Sequence, residues 1–130
     1  MSPANLDIDQ QIAYWRTSSQ EDSEAARSLL DQKYVRHALF FLHLSLEKIL
    51  KAHVCRFTRD LAPRTHNLMV LAERGVVTLS AQAKMLLAGM DEFNLAGRYP
   101  GTEGRVPSED EAWLLFTESL ELRQCLNNQL

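Results

Sequence analysis

A chain of 130 residues and 14.8 kDa, 45% apolar and 24% charged, has the proportions of a globular protein with one hydrophobic core and excludes a disordered or fibrous one. No apolar run approaches the roughly 18 residues a membrane span needs, and Met1 to Asp7 lack the basic-then-apolar pattern of a signal peptide, so a cytoplasmic protein without membrane contact is the expectation. A formal charge of −3 argues against a long nucleic-acid footprint, although a local basic patch remains compatible with it.

Apolar residues recur at helical spacing along nearly the whole chain, and no segment alternates as a strand would. The expectation is an all-α, up-and-down helical bundle of about five helices, four long and one short, forming a single domain over 1–130. The first helix spans about 8 to 31, with Asp7 or Asp9 as N-cap and Ile12, Trp15, Ala26 and Leu29 on one stripe. Its middle, Thr17 to Glu24, is polar enough to be half exposed.

A short turn at Asp31-Gln32-Lys33 leads into the longest and most apolar helix, residues 34 to 58, as the second arm of an antiparallel hairpin. At about 100° per residue, Val35, Ala38, Leu39, Leu42, Leu46, Ile49, Leu50 and Phe57 gather on the core arc, and His53 falls inside it as a core histidine. The opposite wedge carries Arg36, His37, His43, Glu47, Lys48 and Lys51, with Phe40, Leu44 and Val54 interleaved. That much apolar area on a polar face points to a patch covered by another helix of the chain or, the reading preferred, by a second copy of it, with Phe40 and Leu44 making the contact and His43 beside them. His43, Glu47 and Lys51 follow one another at intervals of four and can interact along one side of the helix. Either they form surface ion pairs, or Lys48 and Lys51 face an anion with Glu47 in support.

A loop containing Pro63 precedes a short helix of about 67 to 74, ended by Gly75 in the left-handed C′ position. Ser80 caps a fourth helix that runs to about Leu95. Three of the five glycines and two of the four prolines fall between Gly97 and Pro107, which makes this the one long irregular connection. The last helix starts at Ser108, with Glu111 at N3 in a capping box, and continues to about Asn127. Cys55 and Cys125 lack any CxxC spacing and read as packing residues. No phosphate loop, metal-ligand spacing or Ser-His-Asp set is present, so neither cofactor nor metal is expected.

The connection carries Arg98 beside Tyr99 and Pro100, a planar cation fork and a ring on a positioned loop. These residue types suit a phosphate and a base. The other use of the same arginine is a clamp on Glu47 or Asp22 inside the bundle.

The run Glu47-Lys48-Ile49-Leu50-Lys51-Ala52 resembles the second-helix hallmark of the HEPN family (higher eukaryotes and prokaryotes nucleotide-binding). Trp15 and Asp22, Thr65-His66-Asn67-Leu68 and Ala96-Gly97-Arg98-Tyr99-Pro100 resemble that family's further segments in the same order. The resemblance implies a helical bundle, commonly homodimeric, linked to nucleotides and RNA and often paired with a small nucleotidyltransferase in toxin-antitoxin couples. Its ribonuclease members place a histidine four to six residues after an arginine and a polar residue. Arg98 stands at that arginine's place, yet all four histidines lie at or before His66, so no catalytic residue is assigned. The pairs Arg36/His43 and Arg59/His66 share the spacing but not the place. What the resemblance leaves is a nucleotide or phosphate site framed by Arg98, Tyr99, Lys48, Lys51, Glu47 and His66. The alternatives are a metal-independent ribonuclease using His66 or His43, and a purely structural interaction protein.

Overall fold

The computed structural model describes residues 7–95 and 106–130, and these form five helices and no strand. Helix α1 (Ile8–Asp31) begins where the Asp7 side chain accepts the Gln10 amide, which makes Asp7 the N-cap. The chain turns through Gln32 and Lys33, with Lys33 in the left-handed region at φ 69°. Its amide donates to Leu30 and that of Tyr34 to Leu29, closing the last carbonyls of α1 as a glycine-ended helix would. Helix α2 (Val35–Thr58) then runs back along α1. The shorter helices are α3 (Leu68–Arg74), α4 (Ala81–Leu95) and α5 (Glu109–Asn128). Ser80 and Ser108 accept the amides of Ala83 and Glu111, so both expected caps are in place.

Helix α2 touches all four of the others. Its Leu39, Leu42, Leu46, Ile49 and Leu50 form the middle of the core, which Ala26 and Leu30 of α1, Leu68 and Leu71 of α3, Leu87 and Met90 of α4, and Phe116 and Leu126 of α5 complete. Each of the Leu, Ile, Met and Phe side chains contributes about 1.5–3 kcal/mol on leaving water. A smaller cluster of Ile8, Ile12, Ala52 and Cys55 closes one end against Trp15.

Several expectations change because α2 is enclosed on more sides than one. Of the wedge assigned to the outside, His43, Glu47, Lys51 and Val54 are buried. Phe57, placed on the core arc, is 61% exposed. Arg56 and Thr58 are exposed with it, so the last turn of α2 projects past the helices that cover the rest. In α1, Ser19 and Ser23 are buried within the stretch read as half exposed. The Ser19 hydroxyl donates to the Ser45 carbonyl at 2.7 Å and that of Ser45 to the Ser19 carbonyl at 3.0 Å. Small polar side chains that satisfy each other's backbone let two helices pack with hydroxyls between them.

Gly75 is not left-handed: its φ is −82°, and Val76 takes the positive angle at 52°. The amide of Val77 donates to Ala72 and that of Val76 to Glu73, a Schellman ending with valine at C′. Glycine at 75 answers a different need. A Cβ there would lie 3.2 Å from the His53 Cβ and 3.3 Å from the Val54 amide nitrogen, so α3 docks on α2 through that missing carbon. Cys55 is buried as expected, whereas Cys125, also read as a packing residue, is exposed.

Candidate functional site

The polar side chains that α2 carries inward form a continuous seam. Glu47 is 3% exposed and stands at its centre. One carboxylate oxygen lies 3.1 Å from the Lys51 ammonium, one helical turn on. The other accepts from Nδ1 of His66 at 3.0 Å, on the loop before α3, and lies 3.8 Å from Nδ1 of His43. The interval-of-four contacts read from the sequence therefore exist, but inside the bundle. Lys51 also stands 5.1 Å over the Trp15 ring, so a cation–π contact completes its surroundings.

His43 is fully buried. Its Nε2 meets Asp91 of α4 at 3.0 Å, and Asp91 also accepts the Leu68 amide at the start of α3 through both oxygens. A carboxylate only accepts, so Nε2 of His43 carries the proton. Burial lowers the His43 pKa below its ordinary 6.5 despite the two carboxylates beside it. The ring is neutral, its Nδ1 has no hydrogen-bond partner, and Asp91 ties α2, α3 and α4 together through it. His53 is the second buried imidazole, donating from Nε2 to the Leu126 carbonyl at 2.8 Å, and burial lowers its pKa too. The expectation of a core histidine there holds.

His66 is fixed in the same way. Nδ1 donates to Glu47, which leaves the Nε2 lone pair available on a side chain that is 55% exposed. A buried carboxylate thus orients an imidazole at the surface, an arrangement suited to hydrogen bonding an anion when protonated or to accepting a proton when neutral. The helix α3 that follows starts with Asn67 accepting the Val70 amide, which anchors the loop immediately after His66.

The lysines proposed to face an anion are both occupied. Lys48 pairs with Asp22 of α1 at 2.7 Å and donates to the Ser18 hydroxyl at 2.7 Å. Lys51 is buried against Glu47. Each positive charge is offset by a carboxylate that packs with it, so the two do not form an open cation pair. Asp22 and Glu47, the suggested clamps for Arg98, hold these lysines. Arg98 and Tyr99 themselves lie outside the described residues.

Phe40 and Leu44, assigned to a contact between copies, are half-buried, with Phe40 edge-to-face on Phe41 at 5.7 Å. His43, grouped with them, is instead sealed within the chain by Asp91 and cannot reach a partner's surface. Arg59 pairs with Asp9 at 3.1 Å, both exposed. Among the described residues, no group of three or more His, Cys, Asp or Glu side chains is placed to hold a metal ion, and no helix is long and apolar enough to cross a membrane. Sequence reasoning missed Asp91 and Trp15 as members of the seam. The signal for Trp15 was its place on the buried stripe of α1, whereas nothing in the sequence tied Asp91 to His43, 48 residues away.

An enclosed central helix lined with carboxylate–imidazole and carboxylate–lysine contacts, among four packed helices, defines a helical bundle with a charged interior on one side. The model of the HEPN domain matches residues 12–128, nearly the whole chain, and the protein belongs to that family. No curated protein and no solved structure gives a match.

Proposed function

We propose that this HEPN protein is a homodimeric binding module that takes a phosphate-bearing ligand of the nucleotide class at the His66 end of its polar seam. The observation that carries the reading is the exposed His66 ring held by buried Glu47. A ring fixed in one orientation gives up little entropy when it binds, so it serves as a ready donor or acceptor. Arg98 and Tyr99 are the proposed partners of His66, the first for phosphate and the second for a base. Lys48 and Lys51 have no part in this version, since Asp22 and Glu47 offset their charge. A small nucleotidyltransferase is the proposed protein partner, in a toxin-antitoxin couple. Titration calorimetry with ATP, GTP and a short RNA tests the ligand. Binding by the wild type that weakens in both His66→Ala and Arg98→Ala supports it, and failure of the wild type to bind any of the three overturns it.

The same geometry favours a second reading, a metal-independent ribonuclease in which the free Nε2 of His66 takes the proton of a ribose 2′-hydroxyl. His43 does not enter this reading, being sealed against Asp91. Incubation with structured RNA separates the two: cleavage abolished by His66→Ala supports the ribonuclease, and no cleavage, or cleavage unchanged by that substitution, eliminates it.

A further inference from the structure

Helices α4 and α5 leave an open groove between them, lined by both helices along roughly 17 Å, or three helical turns, from Gln82 to Phe93. Its volume is about 500 Å³. Met85 of α4 is 76% exposed and Leu114 of α5 is 59% exposed, so an apolar floor faces water. Met85, Gly89 and Glu92 follow one stripe of α4 at intervals of four and three. Glu92 and Glu118 edge the groove, Glu118 and Glu121 edge an adjoining hollow of about 230 Å³, and no lysine or arginine lines either among the described residues.

Gly89 is the second observation. Glycine is a poor residue for a helix interior and usually holds such a place because a neighbour comes too close for a Cβ. Here a Cβ would meet nothing within 4 Å, so no contact among the described residues accounts for it. The open space above it is room for another backbone to approach α4 closely.

We propose that the α4–α5 groove is a docking site for a basic amphipathic helix of a partner protein. Such a helix lays its apolar side chains over Met85 and Leu114, passes close to Gly89, and sets lysines or arginines against Glu92, Glu118 and Glu121. The acidic edge decides among occupants. It repels the phosphates of RNA and of anionic lipid surfaces and attracts a cationic helix. Methionine on the floor adapts to side chains of different shape. This proposal is independent of the role given to His66.

The test uses the full chain and a fluorescein-labelled Leu/Lys amphipathic helical peptide, with a Leu/Glu peptide of the same pattern as control, read by fluorescence anisotropy. The Leu/Lys peptide should bind and the Leu/Glu peptide should not. Gly89→Leu puts a side chain into the space where a Cβ meets nothing within 4 Å and improves helix propensity, so it should keep the melting temperature while weakening binding at least about tenfold. Glu118→Lys, a charge reversal on a half-buried side chain at the groove's edge, should weaken the Leu/Lys peptide by about as much without lowering the melting temperature. Equal binding of both peptides, or binding indifferent to both substitutions, overturns the proposal. Sedimentation of Gly89→Leu checks the remaining occupant: a dimer that dissociates on this change alone would assign the groove to a second copy and overturn a foreign helix.

Discussion

Glu47 holds the one positive charge that α2 buries nearly completely, Lys51, and orients His66 at the same time. Removing the carboxylate charge leaves an ammonium in a site with little water, a loss of about 3 kcal/mol or more. Glu47→Gln should therefore unfold at clearly lower denaturant with an unchanged m-value, and a midpoint within error of the wild type would show that Lys51 needs no counter-charge. The buried imidazoles set the pH response. Burial holds His43 and His53 below the ordinary 6.5, so the unfolded chain takes up protons on these rings at higher pH than the folded chain does. The stability that the neutral rings contribute is complete above about pH 6.5 and is lost as pH falls from there through the folded-state values. Melting curves at constant ionic strength should give a lower Tm at about pH 5.5 than at about pH 7.5; equal values would count against the buried neutral rings. Intervals of four in the sequence were enough to pair His43, Glu47 and Lys51. They could not tell a surface pair from a buried one, since burial depends on Asp91, Trp15 and Asp22 arriving from other helices.

At the scale of the element, helix ends were more legible than helix faces. Asp7, Ser80 and Ser108 cap where their hydroxyl or carboxylate chemistry predicts, because a cap is a contact within four residues. The exception is the end of α3, where composition marks Gly75 as the left-handed residue and the backbone assigns that angle to Val76. Docking of α3 on α2 claims the glycine first, so the β-branched valine bears the strain. Val76 is exposed, and Val76→Gly should raise stability by about 1 kcal/mol by relieving that angle. Gly75→Ala should lower it by about as much or more, because the added methyl meets the backbone of α2. Both are read by chemical denaturation, and a sign opposite to either expectation would overturn this account of the turn. Helix faces misled for a related reason. A wheel sorts residues into inside and outside as if a helix had one covered side, and α2 is covered on several. Phe57 shows the converse, a residue on the apolar arc whose turn the described helices leave largely open.

For the whole molecule, the all-α class and the order of the five helices followed from periodicity and breaks, since each helix writes its own pattern. The site was legible only in part. His66 and Glu47, both named for the site, are in hydrogen-bond contact, Lys48 and Lys51 serve the packing of α1 on α2, and the roles of His66, Arg98 and Tyr99 toward a ligand are proposals. The proposed pairing of two copies through Phe40 and Leu44 has its own measurement. Phe40→Asp should convert a dimer to a monomer in light scattering with an unchanged helical circular dichroism signal, and a monomeric wild type would remove the pairing.

The reversal at Gln32 and Lys33 brings α1 and α2, each 24 residues long, side by side with only a few residues to close. Loop closure is cheapest there, and every other helix packs on a surface this pair must already present. The hairpin is thus the natural nucleus, with α5 added late. Chevron measurements should find that Leu46→Ala chiefly slows folding, whereas Leu126→Ala chiefly speeds unfolding. A chain emerging from synthesis would have its organising half complete before the residues that seal it exist.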